Sequence, residues 1–382
     1  MRQSYLGENI KKLGFGLMRL PVMPNGKIDM ALTKKMIDLY MENGFSYFDT
    51  AYVYMGGKSE TTARELLVNR YPRDSFQLAT KLPVWTIENK ADVEQIFNNQ
   101  LEKAGVDYFD IYLLHGLSSV VSDRFPSSNT EKAEQFGAWE FLNKIKAQGK
   151  AKHIGFSFHD SEDVLDRLLI EHPEIEFVQL QINYADWEDT IIRSRACYET
   201  ARKHDKPVIV MESVKGGTLA NLRPKVSAIF KQANPNASPA SWALRYAASL
   251  DGIVTVLSGM SNLEQMKDNV SFMKEFKPLD NKELAAIESA VKELRLVEII
   301  GCTGCKYCVE ECPQNINIPK VMEIMNDYRI YKDQPYAKRR YSYGLARFGK
   351  ASNCIECGSC ENRCPQKLKI PLLLKEAMAI FE

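Results

Sequence analysis

Eight of the nine cysteines stand in two copies of one pattern near the carboxyl end of the chain. The segments CTGCKYCVEECP at 302–313 and CIECGSCENRCP at 354–365 both follow the spacing C-x2-C-x2-C-x3-C-P. In this pattern the three closely spaced thiolates bind one cubane cluster, and the fourth, just before the proline, binds the other cluster. The spacing therefore predicts two [4Fe-4S] clusters that share ligands between the segments. One cluster would be held by Cys302, Cys305, Cys308 and Cys364, and the other by Cys354, Cys357, Cys360 and Cys312.

Structural zinc and disulfide bonds are the alternative uses of such thiols. A zinc site needs only four sulfur ligands and tolerates similar steps, so zinc stays open as an alternative. Disulfides belong to oxidising compartments, and the first residues, MRQSYLGENIKKLGF, lack the apolar core of a signal peptide. No run approaches the length needed to span a bilayer. We therefore expect a soluble, cytoplasmic protein.

The overall charge gives no reason to expect binding to nucleic acid or to a membrane. The chain has 50 basic and 49 acidic residues, and its formal net charge is +1. A field that recruits polyanions needs a clear excess of one sign. We expect a small-molecule substrate, and a redox partner protein if the clusters carry electrons.

Four ionisable side chains recur where predicted strands end. Asp49 ends FSYFD, Lys81 ends FQLATK, His115 ends FDIYLLH, and Tyr54 follows Asp49 by five residues. An ammonium group lowers the pKa of a neighbouring phenol, and a carboxylate keeps that ammonium charged. An imidazole can hydrogen-bond the substrate oxygen that receives the proton. Each residue alone has a structural explanation, but together they predict a proton-transfer site with Tyr54 as the acid.

This set of residues contains no nucleophile and no metal-binding triad. Electrons for a reaction at this site must therefore come from a bound cofactor.

Apolar segments that alternate with helix-like segments must position these residues. Helical patterns lie near 31–43, 58–70 and 90–104, between eight strand candidates. Eight strand–helix units in about 280 residues match the size of a closed (β/α)8 barrel, in which the carboxyl ends of the strands share one face. The strand candidates are KKLGFGLMRL, GFSYFDT, FQLATKL, FDIYLLHG, AKHIGFS, FVQLQINY, PVIVMES and GIVTVLSG.

The rest of the chain reads as a small, mainly helical domain. IPKVMEIMNDYRIY and KIPLLLKEAMAIFE follow the two cysteine segments, and each has Ile-Pro within its first three residues, as a helix start does. A further helical pattern leads into the first cysteine. We predict a barrel at 1–280, a linker helix at 281–300 and a two-cluster, ferredoxin-like domain at 301–382.

Several motifs resemble those of the aldo-keto reductase family. They are FDTAYVY with the following GGKSE, then ATK and YLLH, and the resemblance runs from LGFGLMRLP to LSGMSNLEQMKDN. With the cysteine-rich tail, the chain is similar to the ferredoxin-fused branch of that family. The resemblance implies a (β/α)8 barrel that transfers hydride from NADPH or NADH to an aldehyde or ketone. Asp49, Tyr54, Lys81 and His115 would be its catalytic tetrad.

The resemblance also implies a set of cofactor-binding residues. Ser157 and Gln181 would hold the nicotinamide amide, Gly216 and Gly217 would face the pyrophosphate, and the GMSN segment with two later polar residues would line the adenosine end. The complete set is Gly16, Met18, Arg19, Ser157, Gln181, Met211, Gly216, Gly217, Gly259, Ser261, Asn262, Gln265 and Asn269.

The chain departs from the family pattern at positions that contact the cofactor. Phe158 stands where many members have Asn, and Met211 where many stack a Tyr on the nicotinamide. Gly259 and Gln265 stand near positions where members that select NADPH carry a Lys and an Arg. Because phosphate recognition favours fixed cations, we expect no strong preference for the 2′-phosphate unless Lys267 or Arg19 supplies the charge.

Two other functions compete with carbonyl reduction. In one, the clusters exchange electrons with a ferredoxin or a partner enzyme. Because a cubane moves one electron and nicotinamide moves a hydride pair, direct coupling would need a two-electron mediator such as a flavin. In the other, the barrel senses a cofactor without catalysis, which the intact tetrad argues against.

Overall fold

The computed structural model describes residue 6 and residues 10–119, 128–189, 192–297, 299–302 and 304–382. The chain forms two compact units, one from Met1–Lys215 with Ala240–Leu284 and the other from Gly216–Pro239 with Ala285–Glu382. Residues 216–239 thus group with the tail, which the sequence did not lead us to expect. The domain boundaries at 280 and 300 stay a prediction.

Eight parallel strands form a closed barrel in chain order. Strand β1 pairs with β2 on one side and with β8 on the other, so that the sheet has no edge. The predicted (β/α)8 barrel is therefore confirmed. The strands are β1 (Leu13–Gly16), β2 (Tyr47–Asp49), β3 (Gln77–Pro83), β4 (Phe109–Leu117), β5 (Ala151–Phe158), β6 (Phe177–Gln181), β7 (Val208–Met211) and β8 (Ile253–Ser258).

Helices follow the strands and fill the tail. Those near 31–43 and 90–104 form as predicted, and the one predicted near 58–70 is a short α-helix continued by a π-helical turn, Arg64–Val68. The α-helices are α1 (Met30–Glu42), α2 (Ser59–Ala63), α3 (Lys90–Ala104), α4 (Asn129–Gln135), α5 (Ala138–Ala147), α6 (Glu162–Glu171), α7 (Ser194–Lys203), α8 (Pro224–Ala233), α9 (Pro239–Ser249), α10 (Leu263–Met273), α11 (Asn281–Arg295), α12 (Tyr307–Glu310), α13 (Ile318–Tyr331), α14 (Gln334–Gly344), α15 (Ser359–Arg363) and α16 (Ile370–Phe381).

Two apolar layers build the first unit. Side chains that alternate along the strands fill the barrel interior, and a larger cluster packs the outer face of the strands against the helices. Layered packing of this kind makes the barrel a solid core rather than a pore. The interior is filled by Tyr47, Ala79, Ile111, Leu113, Phe177, Ile209, Val254 and Leu257.

Helix α3 shows how local sequence sets an element that supports the site. Asn89 accepts a hydrogen bond from the first turn in a capping box with Asp92, and Gly105 ends the helix with φ of 67°. The face that α3 buries is apolar except for one polar residue, Gln100.

The second unit has its own apolar core, formed mainly by α13, α14 and α16. Both Ile-Pro segments begin helices, α13 and α16, as predicted, whereas α14 was not predicted. Val321, Met322, Ile324 and Met325 of α13 are fully buried in this core. The predicted helical tail is therefore confirmed.

None of the helices within the described residues is both long and apolar enough to cross a bilayer.

Candidate functional site

Lys81 and Asp49 form a buried ion pair at the end of the barrel where strands β2 and β3 finish. Lys81 Nζ lies 2.6 Å from Asp49 Oδ1, and the two side chains are 0% and 3% exposed. The same Nζ donates to the carbonyl oxygen of Thr50 at 2.8 Å. The ammonium is thus fixed by two acceptors, while Asp49 Oδ2 is buried and has no hydrogen-bond partner within the described part of the chain.

Tyr54 and His115 complete the predicted group of four. Lys81 Nζ lies 4.9 Å from the centroid of the Tyr54 ring. The Tyr54 and His115 ring centroids are 5.8 Å apart, with the rings nearly perpendicular at 80°. The Trp85 ring, in a single 3-10 turn after β3, lies 4.9 Å from that of His115. The structure therefore brings the four predicted residues together, and Trp85, which its position just after Lys81 made a candidate pocket wall, lies beside them.

Burial and charge act in opposite directions on the pKa values of this group. Burial lowers the pKa of Lys81, but Asp49 and Tyr54 raise it, and its pKa lies above the ordinary value. Burial raises the pKa of Asp49 although Lys81 lowers it. Burial also raises the pKa of Tyr54, while Lys81 lowers it, and the net shift is upward. Lys81 thus favours the phenolate as predicted, but it does not bring the pKa of Tyr54 below its ordinary value.

A buried hydrogen-bond network supports the strand segment around Lys81. Gln100 Nε2 donates to the carbonyl oxygen of Lys81 at 3.0 Å and to Glu60 Oε1 at 2.8 Å. Thr80 Oγ1 donates to the same Glu60 oxygen at 2.7 Å, and Tyr112 donates to Gln100 Oε1 at 2.6 Å. Because a satisfied buried network specifies geometry, these side chains position the backbone that carries Lys81.

Sequence reasoning missed this network, although the chain contained a signal for it. Gln100 stands on the otherwise apolar face of α3, with Val93, Phe97 and Ala104. A polar residue at a core position of a helix needs a buried partner. The Glu60 of GGKSE supplies one.

Among the predicted cofactor residues, Arg19 contacts two different turns. Its Nη2 lies 3.5 Å from Glu212 Oε1, after β7. Its carbonyl oxygen accepts from Ser261 Oγ at 2.8 Å. A Cβ built on Gly259 would lie 3.5 Å from the Cβ of Arg19. Arg19 therefore lies beside Gly259 with its guanidinium paired to a carboxylate. Gly16 ends β1, and Met18, 48% exposed, precedes Arg19 in the chain.

The remaining residues predicted for the adenosine end cap or pack helix α10. Gln265 N donates to Asn262 Oδ1 at 2.9 Å, and Ser261 N donates to Gln265 Oε1 at 2.7 Å. Asn269 is buried and donates to Ser258 Oγ at 3.0 Å. The contacts of Asn262 and Gln265 fix the start of α10, and the Asn269 bond ties the helix to β8. A cofactor role for these residues stays a prediction.

The residues predicted to hold the nicotinamide amide lie at the ends of β5 and β6. Ser157 Oγ accepts from the backbone N–H of Gly116 at 2.8 Å. A hydroxyl that accepts in this way can still donate its own hydrogen to a ligand. Gln181 Oε1 lies 3.0 Å from His159 Nδ1.

Gln179 is a polar residue of β6 that the sequence analysis did not select. It is 2% exposed, its Nε2 lies 3.5 Å from the sulfur of Met211, and its Oε1 has no hydrogen-bond partner among the described residues. A buried amide oxygen of this kind normally has a donor. Gln179 is thus an additional candidate for contact with a ligand near Met211.

Gly216 and Gly217 lie in the second unit, in the 3-10 segment Lys215–Ala220. Their φ angles are 66° and 103°, which only glycine adopts readily. Successive backbone N–H groups in such turns can form an anion-binding concavity.

The eight cysteines of the tail form two groups, each lining a separate cavity. Each cavity combines three cysteines of one segment with the last cysteine of the other, the pairing that the spacing predicted. The first cavity contains Cys302, Cys305, Cys308 and Cys364, and the second contains Cys312, Cys354, Cys357 and Cys360. Four thiolates per cavity suit a cubane cluster.

Comparison with known proteins identifies both parts of the chain. The sequence profile of the aldo/keto reductase family matches residues 12–292. The chain belongs to the aldo/keto reductase family. A 4Fe-4S dicluster domain profile matches residues 301–368, so this family member carries an iron–sulfur domain after its reductase domain, as the ferredoxin-fused resemblance implied.

Similarity to individual relatives of this family member is moderate. Aldehyde reductase YPR1 of Saccharomyces cerevisiae is 27% identical over 42% of this chain and 53% of its own length, so the chain spans about half the length of that relative. The NADH-specific methylglyoxal reductase of Escherichia coli is 24% identical over 69% of this chain and 89% of its own length. An aldo-keto reductase structure from Klebsiella pneumoniae, in complex with NADPH, has a TM-score of 0.57 at 19% identity and covers 73% of this chain and 90% of its own. That structural likeness concerns the fold.

Proposed function

We propose that the protein reduces an aldehyde or ketone with NADH or NADPH, and that Tyr54 donates the proton. The observation that carries this proposal is the group of Lys81, Asp49, Tyr54 and His115. Lys81 is fixed 2.6 Å from Asp49, and its Nζ lies 4.9 Å from the Tyr54 ring. The group can hold and move a proton but has no nucleophile of its own. The nicotinamide, when bound, would supply the hydride.

Each residue of the group has a separate role in this reaction. Tyr54, whose pKa is raised by burial against the effect of Lys81, stays protonated at neutral pH. As the substrate oxygen gains negative charge, it takes the hydroxyl proton of Tyr54. Lys81 then stabilises the phenolate that remains on Tyr54. Asp49 keeps Lys81 charged, and His115 orients the carbonyl oxygen. Trp85, beside His115, would form a wall of the substrate pocket.

Features of the barrel mouth are consistent with a dinucleotide beside the tetrad. Asp49 Oδ2 and Gln179 Oε1 are buried acceptors without hydrogen-bond partners among the described residues. A sugar hydroxyl or an amide N–H of the cofactor would satisfy such acceptors. The Escherichia coli relative is described as NADH-specific and the Klebsiella pneumoniae structure contains NADPH, which supports a nicotinamide cofactor without deciding between the two.

The experiment that tests this proposal measures NADH or NADPH oxidation by the anaerobically purified protein with a panel of aldehydes and ketones. We expect turnover with at least one carbonyl and formation of the corresponding alcohol in equal amount. Binding of NADH or NADPH without turnover across a broad panel would favour the cofactor-sensing function instead.

A second candidate function is electron exchange between the clusters and a ferredoxin or partner enzyme. Cys305 and Cys357, one from each cysteine group, are exposed. Tyr307 and Ile355, close to them in the chain, are 56% and 60% exposed. If each cavity binds a cluster, each cluster would thus have one cysteine ligand at the protein surface. A partner protein could contact the cluster there. Reduction of the clusters by a reduced ferredoxin, measured by visible absorbance, tests this function.

A further inference from the structure

Tyr336 lies against the backbone of Gly216 within the second unit. A Cβ built on Gly216 would stand 2.5 Å from Cε2 and 3.3 Å from Cζ of Tyr336. Carbon atoms that are not bonded prefer separations of about 3.5–4.0 Å. The Tyr336 ring therefore occupies the space where a side chain at position 216 would point, and it limits the positions that this turn can adopt.

Tyr336 is itself fixed in the first turn of α14. Its backbone N–H donates to Asp333 Oδ1 at 2.9 Å, which caps the helix. The guanidinium carbons of Arg339 and Arg340 each lie 5.9 Å from the centre of its ring. At this distance a cation attracts the face of an aromatic ring.

Arg340 connects α14 to α13, the helix that borders the first cysteine cavity. It forms ion pairs with Glu323 and Asp327 of α13. Glu323 follows Met322, which lines the cavity containing Cys302. A continuous series of contacts thus leads from the cavity through α13, Arg340 and Tyr336 to the Gly216 turn.

We propose that Tyr336 positions the Gly216–Gly217 turn for the nicotinamide dinucleotide, so that assembly of the first cluster tightens dinucleotide binding. This inference rests on the proposed function and on the role that the family resemblance implies for this turn, which is to face the pyrophosphate. A turn that is already ordered loses less conformational entropy when the ligand binds. Because ligation of a metal centre contributes its binding free energy to folding, loss of the cluster would loosen α13 and α14 and release Tyr336 from Gly216.

The first experiment measures dissociation constants of NADH and NADPH for the cluster-loaded protein by fluorescence titration under anaerobic conditions. Tyr336→Ala should weaken binding at least tenfold, with unchanged iron content. Tyr336→Phe keeps the ring and should bind like the wild type. Tyr343→Ala alters a residue of the same helix that is 82% exposed and should have no effect.

A double-mutant cycle separates this role from a general loss of stability. Gly216→Ala places a methyl group against the ring when Tyr336 is present, but only strains the backbone at φ of 66° when position 336 is alanine. Gly216→Ala should therefore weaken binding by a larger factor in the wild type than in Tyr336→Ala. Equal factors in the two backgrounds would mean that the residues act independently, which would overturn the proposal.

The cluster-dependent part has its own test. Protein stripped of iron by a chelator, with its barrel intact by circular dichroism, should bind the dinucleotide at least tenfold more weakly than the loaded protein. Equal binding by stripped and loaded protein, or by wild type and Tyr336→Ala, would overturn this inference while leaving carbonyl reduction untouched. Failure of the wild type to bind either dinucleotide would instead overturn the proposed function, and this inference with it.

Discussion

Lys81 and Asp49 hold opposite charges 2.6 Å apart in a part of the barrel where both side chains are almost completely buried. Burial alone would favour the neutral form of each residue. The pair therefore depends on both partners, and removing one leaves an uncompensated charge. This dependence links the proposed chemistry of Tyr54 to the stability of the barrel.

Replacing Lys81 should reduce both stability and activity. Lys81→Met leaves the Asp49 carboxylate buried without its partner, so we expect the free energy of unfolding to fall by about 3–5 kcal/mol. Urea denaturation of the barrel measures this change. Lys144→Met is a matched control, because its pair with Glu94 is 46% and 54% exposed and exposed pairs contribute only about 0–1 kcal/mol.

The double variant Lys81→Met/Asp49→Asn tests the cause of that loss. Removal of the second charge should restore part of the stability while activity stays lost. If the double variant were as unstable as the sum of the single variants, the loss would not come from the unpaired carboxylate.

Tyr54→Phe should remove the proton donor while keeping the aromatic ring. We expect kcat for carbonyl reduction to fall about 10²–10⁴-fold, the usual contribution of a general acid. The dissociation constant for the dinucleotide should stay within about twofold of the wild type, because the phenol acts on the substrate oxygen. Tyr52→Phe is the control, since the Tyr52 ring contacts Lys103 at 4.4 Å rather than Lys81. Substantial turnover by Tyr54→Phe with several aldehydes would show that another group is the acid.

The pH dependence of kcat should report a tyrosine whose pKa is raised. Burial raises the pKa of Tyr54 and outweighs the opposing effect of Lys81, so the acid stays protonated through neutral pH. We expect kcat to hold until the pH passes the ordinary tyrosine value of about 10 and to fall only above it. Since Lys81 lowers the pKa of Tyr54, any residual activity of Lys81→Met should fall at a still higher pH. A fall centred at about pH 6.5, where an unperturbed histidine titrates, would mean that a tyrosine is not the acid.

The proximity of Asp49, Tyr54, Lys81 and His115 and the grouping of the cysteines could be predicted because few side chains are involved and their spacing is regular. Parallel strands end on one face of a barrel, so residues at the ends of β2, β3 and β4 had to meet once the barrel was inferred. The sharing of Cys312 and Cys364 between the two groups follows from the position of the last cysteine in each segment.

Other features depended on packing that the pattern does not contain. The net rise in the pKa of Tyr54 comes from burial, which depends on surrounding elements rather than on the four residues themselves. Helix α14 mixes Tyr, Lys and Arg, and only Ala337 and Tyr341 are buried in it. Its sequence therefore has too few regularly spaced apolar residues to predict a helix. The contact between Tyr336 and Gly216 joins residues 120 positions apart. No local rule indicates such a contact.

We predict that the protein does not discriminate strongly between NADH and NADPH. Gly259 and Gln265 supply no cation, and Arg19, one of the two cations that could replace them, already pairs with Glu212 at 3.5 Å. The ratio of the two dissociation constants should stay below about a hundredfold, or roughly 2.7 kcal/mol. Titration of both dinucleotides at equal ionic strength gives this ratio. A larger preference for NADPH would mean that other cations bind the 2′-phosphate. In that case Glu212→Gln, which removes the carboxylate that pairs with Arg19, should change the affinity for NADPH if Arg19 is one of those cations.

The two cysteine groups predict which substitutions affect the same cluster. Cys364 belongs to the second segment but lines the first cavity, whereas its neighbour Cys360 lines the second. Cys364→Ser should therefore produce the same change in the electron paramagnetic resonance spectrum of the reduced protein as Cys305→Ser, and Cys360→Ser should produce a different one.

The control is Cys197→Ser, which changes a buried thiol of α7 outside both cavities. It should keep about eight iron and eight sulfide per chain, as two cubanes require. Two zinc ions per chain with little iron would contradict the cluster assignment. Matching spectra for Cys364→Ser and Cys360→Ser would contradict the sharing of ligands between the segments.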